Sequence, residues 1–570
     1  MNFSSYLEEV DRDNLMKYTK NISRNVRLSG SKEEKEIFEY VNDLLTSFGY
    51  KTLFYTRPSL ISLPESATLE VDGTYYECIT HSMGKSTDQT MESSIIYVGE
   101  GDEESLKTKL KGGEVLLVDG IAIPAIVKLA EKYKASGLIF INAEYTHEMI
   151  ISTNWGNPDI YNKNDYPDLP VVSINYYDGE KIKKQLLKSS KARCQMTTNV
   201  RTEWRDIPTL IAEYKGNIEP EKFVLFSGHI DSWHYGAMDN GTANATMIEI
   251  ARILSDLKPE LKRSVRFAFW SGHSHGRYSG STLYGDENWQ DIHDNCVTHV
   301  NIDSVGAKNA NVLTEGNTMQ ETKPVIKEAV KSITGEIFEG SRYGRSGDQS
   351  FWIHGVPSIL MGLSEQEPSD TPAMKAFSKL FGDGKGGGFG WWWHTTEDTL
   401  DKISPSYLER DCKIYLSIIL NLGMSEYLQT KPSNAIEEIE IHVEKYLRLR
   451  PSHPGLNKAL NLVQELKPLI NEFEESKITK TIKSKTYNSM SQRISRALIR
   501  VNYVEEDSFR NDKAVGKAPL PLLSYALDYE SASSDEKFIL DTTLLRNSNK
   551  FNYTLNNLIR DLNEYLKGEK

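Results

Sequence analysis

Two spacings of apolar residues alternate along the chain, and where they change they divide it into four segments. In residues 1–58, Phe38, Val41, Leu44, Leu45 and Phe48 recur at helical spacing. Gly49 is placed to end that helix, and Lys51–Tyr55 reads as a short strand. Residues 59–200 change to short strands joined by turns containing Gly, Asp and Pro. Glu114–Val118 and Leu138–Ile141 have the length of buried strands, with an amphipathic helix, Pro124–Tyr133, between them; Val171–Ile174 is a further strand. Residues 201–430 alternate strands with helices, which predicts an α/β fold, a largely parallel sheet flanked by helices. Its strands are Phe223–Ser227, Val265–Trp270 and Val300–Ile302. Gly241–Leu257 is helical and buries Ala245, Ile248, Ile253 and Leu254. Residues 431–570 turn helical and charged, with one apolar stripe of Leu456, Leu460, Val463 and Leu466 and another of Leu555, Leu558, Ile559, Leu562 and Leu566. Each stripe suits either core packing or a dimer face.

The length, 570 residues, exceeds what one hydrophobic core supports, so about two to four domains are expected. Apolar residues at 39% and charged residues at 26% are those of a globular protein. A net charge of −13 argues against a nucleic acid or an anionic membrane surface as partner. No stretch approaches the roughly 20 apolar residues of a membrane helix, and the N-terminus does not read as a secretory signal. Cys78, Cys194, Cys296 and Cys412 are too scattered for a thiolate metal site or a disulfide framework, which points to reduced thiols and a cytoplasmic location.

The candidate chemistry is positional. In an open α/β sheet, ligands collect beyond the carboxyl ends of the strands. Here one strand runs into Gly228-His229-Ile230-Asp231, a second into Ser271-Gly272-His273-Ser274-His275-Gly276, and a third into Asp303-Ser304. Met238-Asp239-Asn240-Gly241 precedes a helix, and a glycine-rich loop ends in Trp391-Trp392-Trp393-His394. Singly, each reads as a turn or a satisfied polar residue. Together they gather four of the twelve histidines, interleaved with aspartates, and imidazole plus carboxylate suits zinc and similar divalent ions. His229 and Asp231, two apart on an extended segment, should point the same way, so Asp231 either orients the imidazole from behind or ligates directly.

These motifs, with His394-Thr395-Thr396-Glu397-Asp398-Thr399 and Gly347-Asp348-Gln349-Ser350-Phe351 ahead of Gly355-Val356-Pro357, resemble the co-catalytic zinc peptidases. That family includes bacterial aminopeptidases, glutamate carboxypeptidase II and the transferrin receptor. The resemblance implies a peptidase domain from 1–58 and 201–430, a protease-associated insert at 59–200 and a helical, dimerisation-like domain at 431–570. It implies that His229, Asp239 and Asp303 hold one metal, that Asp239 bridges to a second held by His394, and that Asp231 steers His229. A metal-activated water would then attack a peptide or small-molecule amide.

One departure bears on the chemistry. The family carries two adjacent glutamates after the strand ending at Trp270, a general base and a metal ligand; this chain has His273 and Ser274 there, then His275. Either His273 or His275 replaces the ligand while the other handles the proton, or the site holds one metal or none and the protein binds without catalysing. Glu365 and Glu367 are further candidates for the base. An amide-forming, cyclising or deacylating enzyme is the third reading. The tryptophan run, Trp393 above all, is expected to wall a substrate pocket, and Asp348 to line it; Arg277, Arg342 and Arg345 are candidates to bind a substrate carboxylate. A homodimer is expected.

Overall fold

The computed structural model describes residues 3–188, 192–314, 316–359, 362–381, 387–479 and 483–568. Its backbone is one twisted sheet. In chain order its main strands are β1 (Thr52–Val71), β2 (Met91–Tyr97), β3 (Val115–Asp119), β4 (Gly137–Ile141), β5 (Val171–Ile174), β6 (Ala192–Tyr214), β7 (Glu219–His229), β8 (Arg263–Trp270), β9 (Cys296–Asn301) and β10 (Ser358–Ile359). Across the sheet they lie in the order β10-β9-β7-β8-β6-β2-β3-β4-β5. The expected parallel centre is present: β7 pairs in parallel with β8 and β9, and β2 to β5 form a second parallel set.

The sequence reading missed the element that joins the two sets. β1 and β6 form an antiparallel ladder from Thr52↔Ala212 to Val71↔Cys194, interrupted by a bulge between Pro64 and Ser66. The first half of β6 pairs with β2 and its second half with β8, so a single strand carries the sheet from one region into the other. The short strands expected for 59–200 are therefore flanked by two long ones.

Helices cover the sheet because their apolar residues recur on one face. They are α1 (Arg12–Ile22), α2 (Lys32–Ser47), α3 (Ala243–Leu257) and α4 (Pro405–Met424). Asp11 caps α1, accepting from the N–H groups of Asp13 and Asn14, and Gly49 follows α2 with φ of +92°, as its placement suggested. Beyond 430 come α5 (Pro432–Leu449), α6 (Pro454–Thr479), α7 (Ser484–Tyr503) and α8 (Ser534–Gly568). They share a separate core that includes Ile439, Val463, Leu466, Ile494, Leu555 and Leu562. Both stripes read from the sequence thus face inward, with Leu460 at the core's edge. Among the described residues no helix is long and apolar enough to cross a membrane.

Candidate functional site

The parallel register brings the strand ends to one edge. Trp270 on β8 lies opposite His229, the last residue of β7, and Asn301 on β9 lies opposite Ser227, so the loops after all three strands open at the same level. Two asparagines lock these ends together. Asn244 on α3 donates to the carbonyls of His229 and Asn240, and Asn240 receives the N–H of Ser304 and donates to the carbonyl of Ile302.

Four of the expected ligands converge. His229 Nε2 lies 3.3 Å from Asp239 Oδ1 and 3.6 Å from Asp303 Oδ2, and His394 Nε2 lies 3.0 Å from Asp239 Oδ2. One carboxylate therefore faces two imidazoles, one through each oxygen. The tautomers follow from what the opposite nitrogens touch. His229 Nδ1 is 2.9 Å from the backbone carbonyl of Asp231 and His394 Nδ1 is 2.6 Å from that of Glu148. A carbonyl only accepts, so each Nδ1 carries a proton, and in the neutral imidazole each Nε2 is the atom with the lone pair. Burial alone would keep His229 neutral, but Asp303, with the contacts to Asp231 and Asp239, raises its pKa well above the ordinary histidine value.

The Asp231 carboxylate has nearer partners than the imidazole it was expected to steer. Its carboxylate is 3.6 Å from His229 Nδ1, while the Ser29 hydroxyl donates to it at 2.7 Å, the Ser274 N–H at 2.8 Å and the His273 N–H at 3.3 Å. β7 ends at His229, so the pleat that would point both side chains one way stops before Asp231. Burial opposes the Asp231 charge, yet the histidines and these donors hold its pKa well below the usual carboxylate range. The carboxylate shapes the 273–274 turn.

His273 and His275 take different places. His273 Nδ1 donates to Asp348 Oδ2 at 2.9 Å, and Asp348 Oδ1 accepts from the Ser281 hydroxyl at 2.8 Å, so Asp348 backs His273 instead of lining a pocket. His229, His273 and Asp303 offer ligand atoms within 4.8 Å of one another. The two rings, however, lie parallel, 3.7 Å apart with an interplanar angle of 10°. An ion in the plane of one ring then lies well out of the plane of the other, so joint ligation requires one ring to turn. His275 is fully buried, with Nδ1 2.9 Å from the Ser29 oxygen, its ring 4.3 Å from that of Trp233, and Nε2 without a hydrogen-bond partner among the described residues.

Several expected substrate contacts are committed elsewhere. Arg277 donates to the carbonyls of Ile150 and Ala514, Arg342 to the carbonyl of Asn502 and to Glu438, and Arg345 to Asp512 and the carbonyl of Tyr503. These guanidiniums fasten neighbouring regions together. Trp393 is buried with its face on the His394 ring at 3.6 Å, which makes it a support for that ligand, and Trp391 is the tryptophan of the run left exposed. Residues 382–386 of the glycine-rich loop lie outside the described residues. Glu367 accepts from Asn311, and Glu365 pairs in a short antiparallel strand with Val312.

Three further residues went unnoticed in the sequence. Arg27, buried under the site, donates to the carbonyls of Ile22, Ile230, Tyr235 and Gly236. Asp398 accepts from the N–H groups of Met238 and Asp239, and burial pushes its pKa up to about 7 against those bonds. Glu148 and His394 also exchange a backbone bond, Glu148 N to His394 O at 3.0 Å. The Glu148 side chain is 15% exposed, its Oε1 is 4.0 Å from His234 Nε2, its Oε2 is buried without a partner, and burial pushes its pKa up to about 8. Only Asp398 sat inside a quoted motif.

An ion fits this arrangement. His229 Nε2 is buried without a hydrogen-bond partner among the described residues and faces two carboxylate oxygens, and this nitrogen and oxygen donor set suits a borderline divalent cation that would take the place of the proton.

Comparison with known proteins agrees. Residues 209–419 match the model of Peptidase family M28, a span that includes every ligand named above. The chain is 30% identical over 151 residues to aminopeptidase NAALADL1 of Rattus norvegicus, covering 26% of this chain and 19% of that one. It is 29% identical over 232 residues to a probable glutamate carboxypeptidase, VP8, of Zea mays, covering 37% and 32%. The matched region thus spans less than a third of either relative's length or close to it. A zinc aminopeptidase structure from Bacillus subtilis superposes with a TM-score of 0.54 at 18% identity, covering 74% of this chain and 97% of that one, which shows a shared fold.

Proposed function

We propose that this chain is a metal-dependent hydrolase of peptide or small amide bonds, with His229, Asp239, Asp303 and His394 as the ligands of one or two zinc-like ions. The observation that carries the reading is the shared carboxylate: Asp239 faces His229 through one oxygen and His394 through the other. A divalent ion bound there supplies Lewis-acid polarisation of a carbonyl and acidifies water. The remaining work belongs to side chains. Asp398 holds the backbone of Asp239 from below, and the Asp231 and Glu148 carbonyls fix the lone pairs of His229 and His394 towards the site. His273, with Nδ1–H on Asp348, keeps Nε2 as the atom able to take up a proton beside His229 and pass it to a leaving amine, in place of the missing glutamate. The family match over residues 209–419, and relatives that include both an aminopeptidase and a probable carboxypeptidase, support peptide hydrolysis over a purely binding role.

The test is metal content by elemental mass spectrometry with turnover of a library of amide substrates. At least one zinc per chain is expected, with activity lost to a chelator, restored by zinc and abolished in Asp239→Asn. A protein that takes up no ion after incubation with zinc, manganese and cobalt overturns the reading.

A further inference from the structure

His273 stands at the end of a line of buried side chains. Asp348 accepts from its Nδ1–H through one oxygen, at 2.9 Å, and from the Ser281 hydroxyl through the other, at 2.8 Å. Ser281 Oγ lies 2.8 Å from Ser350 Oγ, which accepts from the indole N–H of Trp155 at 2.9 Å. The line begins in the connection between β4 and β5 and ends in the loop after β8, so it crosses from the 59–200 region to the candidate site. Trp155, Ser350, Ser281 and Asp348 are all buried, which keeps bulk water from competing for these bonds.

The line has a direction. An indole N–H donates and never accepts, so Trp155 occupies a lone pair of Ser350, and the Ser350 proton is left for Ser281. Thr282 Oγ1 is a more distant acceptor, 3.1 Å from Ser350. Ser281 then gives its own proton to Asp348, which is nearer than the Tyr278 carbonyl at 3.1 Å. With one oxygen supplied in this way, the carboxylate is held with the other against His273 Nδ1. A second route runs through rings: Trp155 meets Tyr278 at 4.7 Å, and Tyr278 meets His273 edge-on at 5.0 Å. The segment that carries Trp155 is itself fastened. The Gly156 N–H donates to the Arg277 carbonyl at 2.7 Å, and the Thr153 carbonyl accepts from the Ala514 N–H at 2.8 Å. Buried hydroxyls are paired wherever they lie. Here each bond sets the proton of the next, and the last member is the imidazole at the position where the family carries a glutamate.

We infer that Trp155 is a positioning residue of the hydrolase proposed above. Through Ser350 and Ser281 it holds Asp348 in the pose that fixes the His273 Nδ1–H and leaves Nε2 facing the site, so the 59–200 region takes part in the chemistry without supplying any of the proposed metal ligands. The catalytic consequence rests on the hydrolase reading, and two readouts separate the two. The zinc-loaded wild type, Trp155→Phe and Ser281→Ala are compared for amide hydrolysis and for metal content. Exchange of the His273 Nδ1 proton with water is followed in isotope-filtered proton spectra of protein labelled at histidine, the signal being identified by its loss in His273→Ala. Phenylalanine keeps a ring against Tyr278 and removes the N–H; alanine removes the donor to Asp348 with little change in volume. The wild type should show a downfield, slowly exchanging Nδ1 proton. In both variants that proton should exchange about tenfold faster or more, and kcat should fall by about tenfold with KM within about threefold and zinc content unchanged, as for loss of an outer-sphere partner. A packing role alone would lower the unfolding temperature and move neither readout. Wild-type exchange in both variants overturns the inference, and so does wild-type kcat where exchange has quickened. If the wild type turns over no amide, the hydrolase reading fails, and the exchange result decides the hold on His273 by itself.

Discussion

Asp231 distinguishes two ways of building a metal site, and Asp231→Asn tells them apart. If the carboxylate steers His229, its loss should weaken metal binding by about 10- to 100-fold, as loss of an outer-sphere partner does. The geometry assigns it a different task. His229 Nδ1 bonds to the Asp231 carbonyl, which the substitution keeps, whereas the carboxylate receives three donors, the Ser29 hydroxyl and the N–H groups of His273 and Ser274. An amide in this place can accept through one atom only and turns a donor towards donors. Hydrogen bonds to a buried charge are worth about 1.5–3 kcal/mol each, and breaking such a network from one side costs about 3–5 kcal/mol. The expected result is a loss of about 3 kcal/mol or more in urea unfolding of the metal-free protein, with zinc affinity, measured by competition with a chromogenic chelator, changed by less than tenfold. A variant of wild-type stability whose zinc affinity falls a hundredfold would refute the assignment and restore the carboxylate as the orienting group.

Gly236→Ala should abolish zinc binding while leaving far-UV circular dichroism close to wild type. Gly236 has φ of +52°, and a Cβ there would run into the Asp239 carbonyl and the Ser232 side chain, displacing the loop that delivers the shared carboxylate; full zinc occupancy in the variant would count against this. Glu321→Gln tests a buried acid far from the ligands. Burial pushes the Glu321 carboxyl up to about 7, so the folded state gains from the protonated form below the unfolded pKa near 4.5 and loses that gain as pH rises towards 7. The neutral variant should therefore gain stability relative to wild type on going from pH 4.5 to pH 8, by ~3 kcal/mol at one pKa unit per ~1.4 kcal/mol, and a pH-independent difference would disprove it.

How much could be read beforehand follows from which forces are local. Parallel strands buried on both faces are continuous apolar runs, so Val171–Ile174 and the cores of β7 and β8 were legible with their ligand-bearing ends. The β1–β6 ladder was not. Pro58 and Pro64 argue against a strand, and the Arg201–Arg205 stretch, exposed along most of its length, lacks the alternation that marks a half-buried one. Burial on one edge and a bulge at Pro64 resolve that conflict only in three dimensions. The candidate ligands His229, Asp239 and Asp303 were legible because each lies at a strand end or ahead of a helix, and His394 because it closes the glycine- and tryptophan-rich loop. Ser29, Arg27 and Glu148 were not, because each reaches the site from a separate stretch of chain and carries no pattern of its own. The arginines misled for a related reason: a guanidinium looks the same in sequence whether it waits for a ligand or fastens two backbone carbonyls.

The same distinction explains why His273 and His275, two residues apart, differ. His275 is enclosed by Ser29 and Trp233, and burial lowers its pKa despite Asp231 beside it, so its imidazole is held neutral as part of the wall beneath the site. His273 keeps partial exposure, has an anion behind Nδ1 and a ligand ring against its face. The Asp348 carboxylate holds Nδ1 and leaves Nε2 facing the site, so in the proposed hydrolase this pair would stand where the family places a glutamate. Swapping an anionic base for a neutral imidazole also lowers the number of cations the site must recruit.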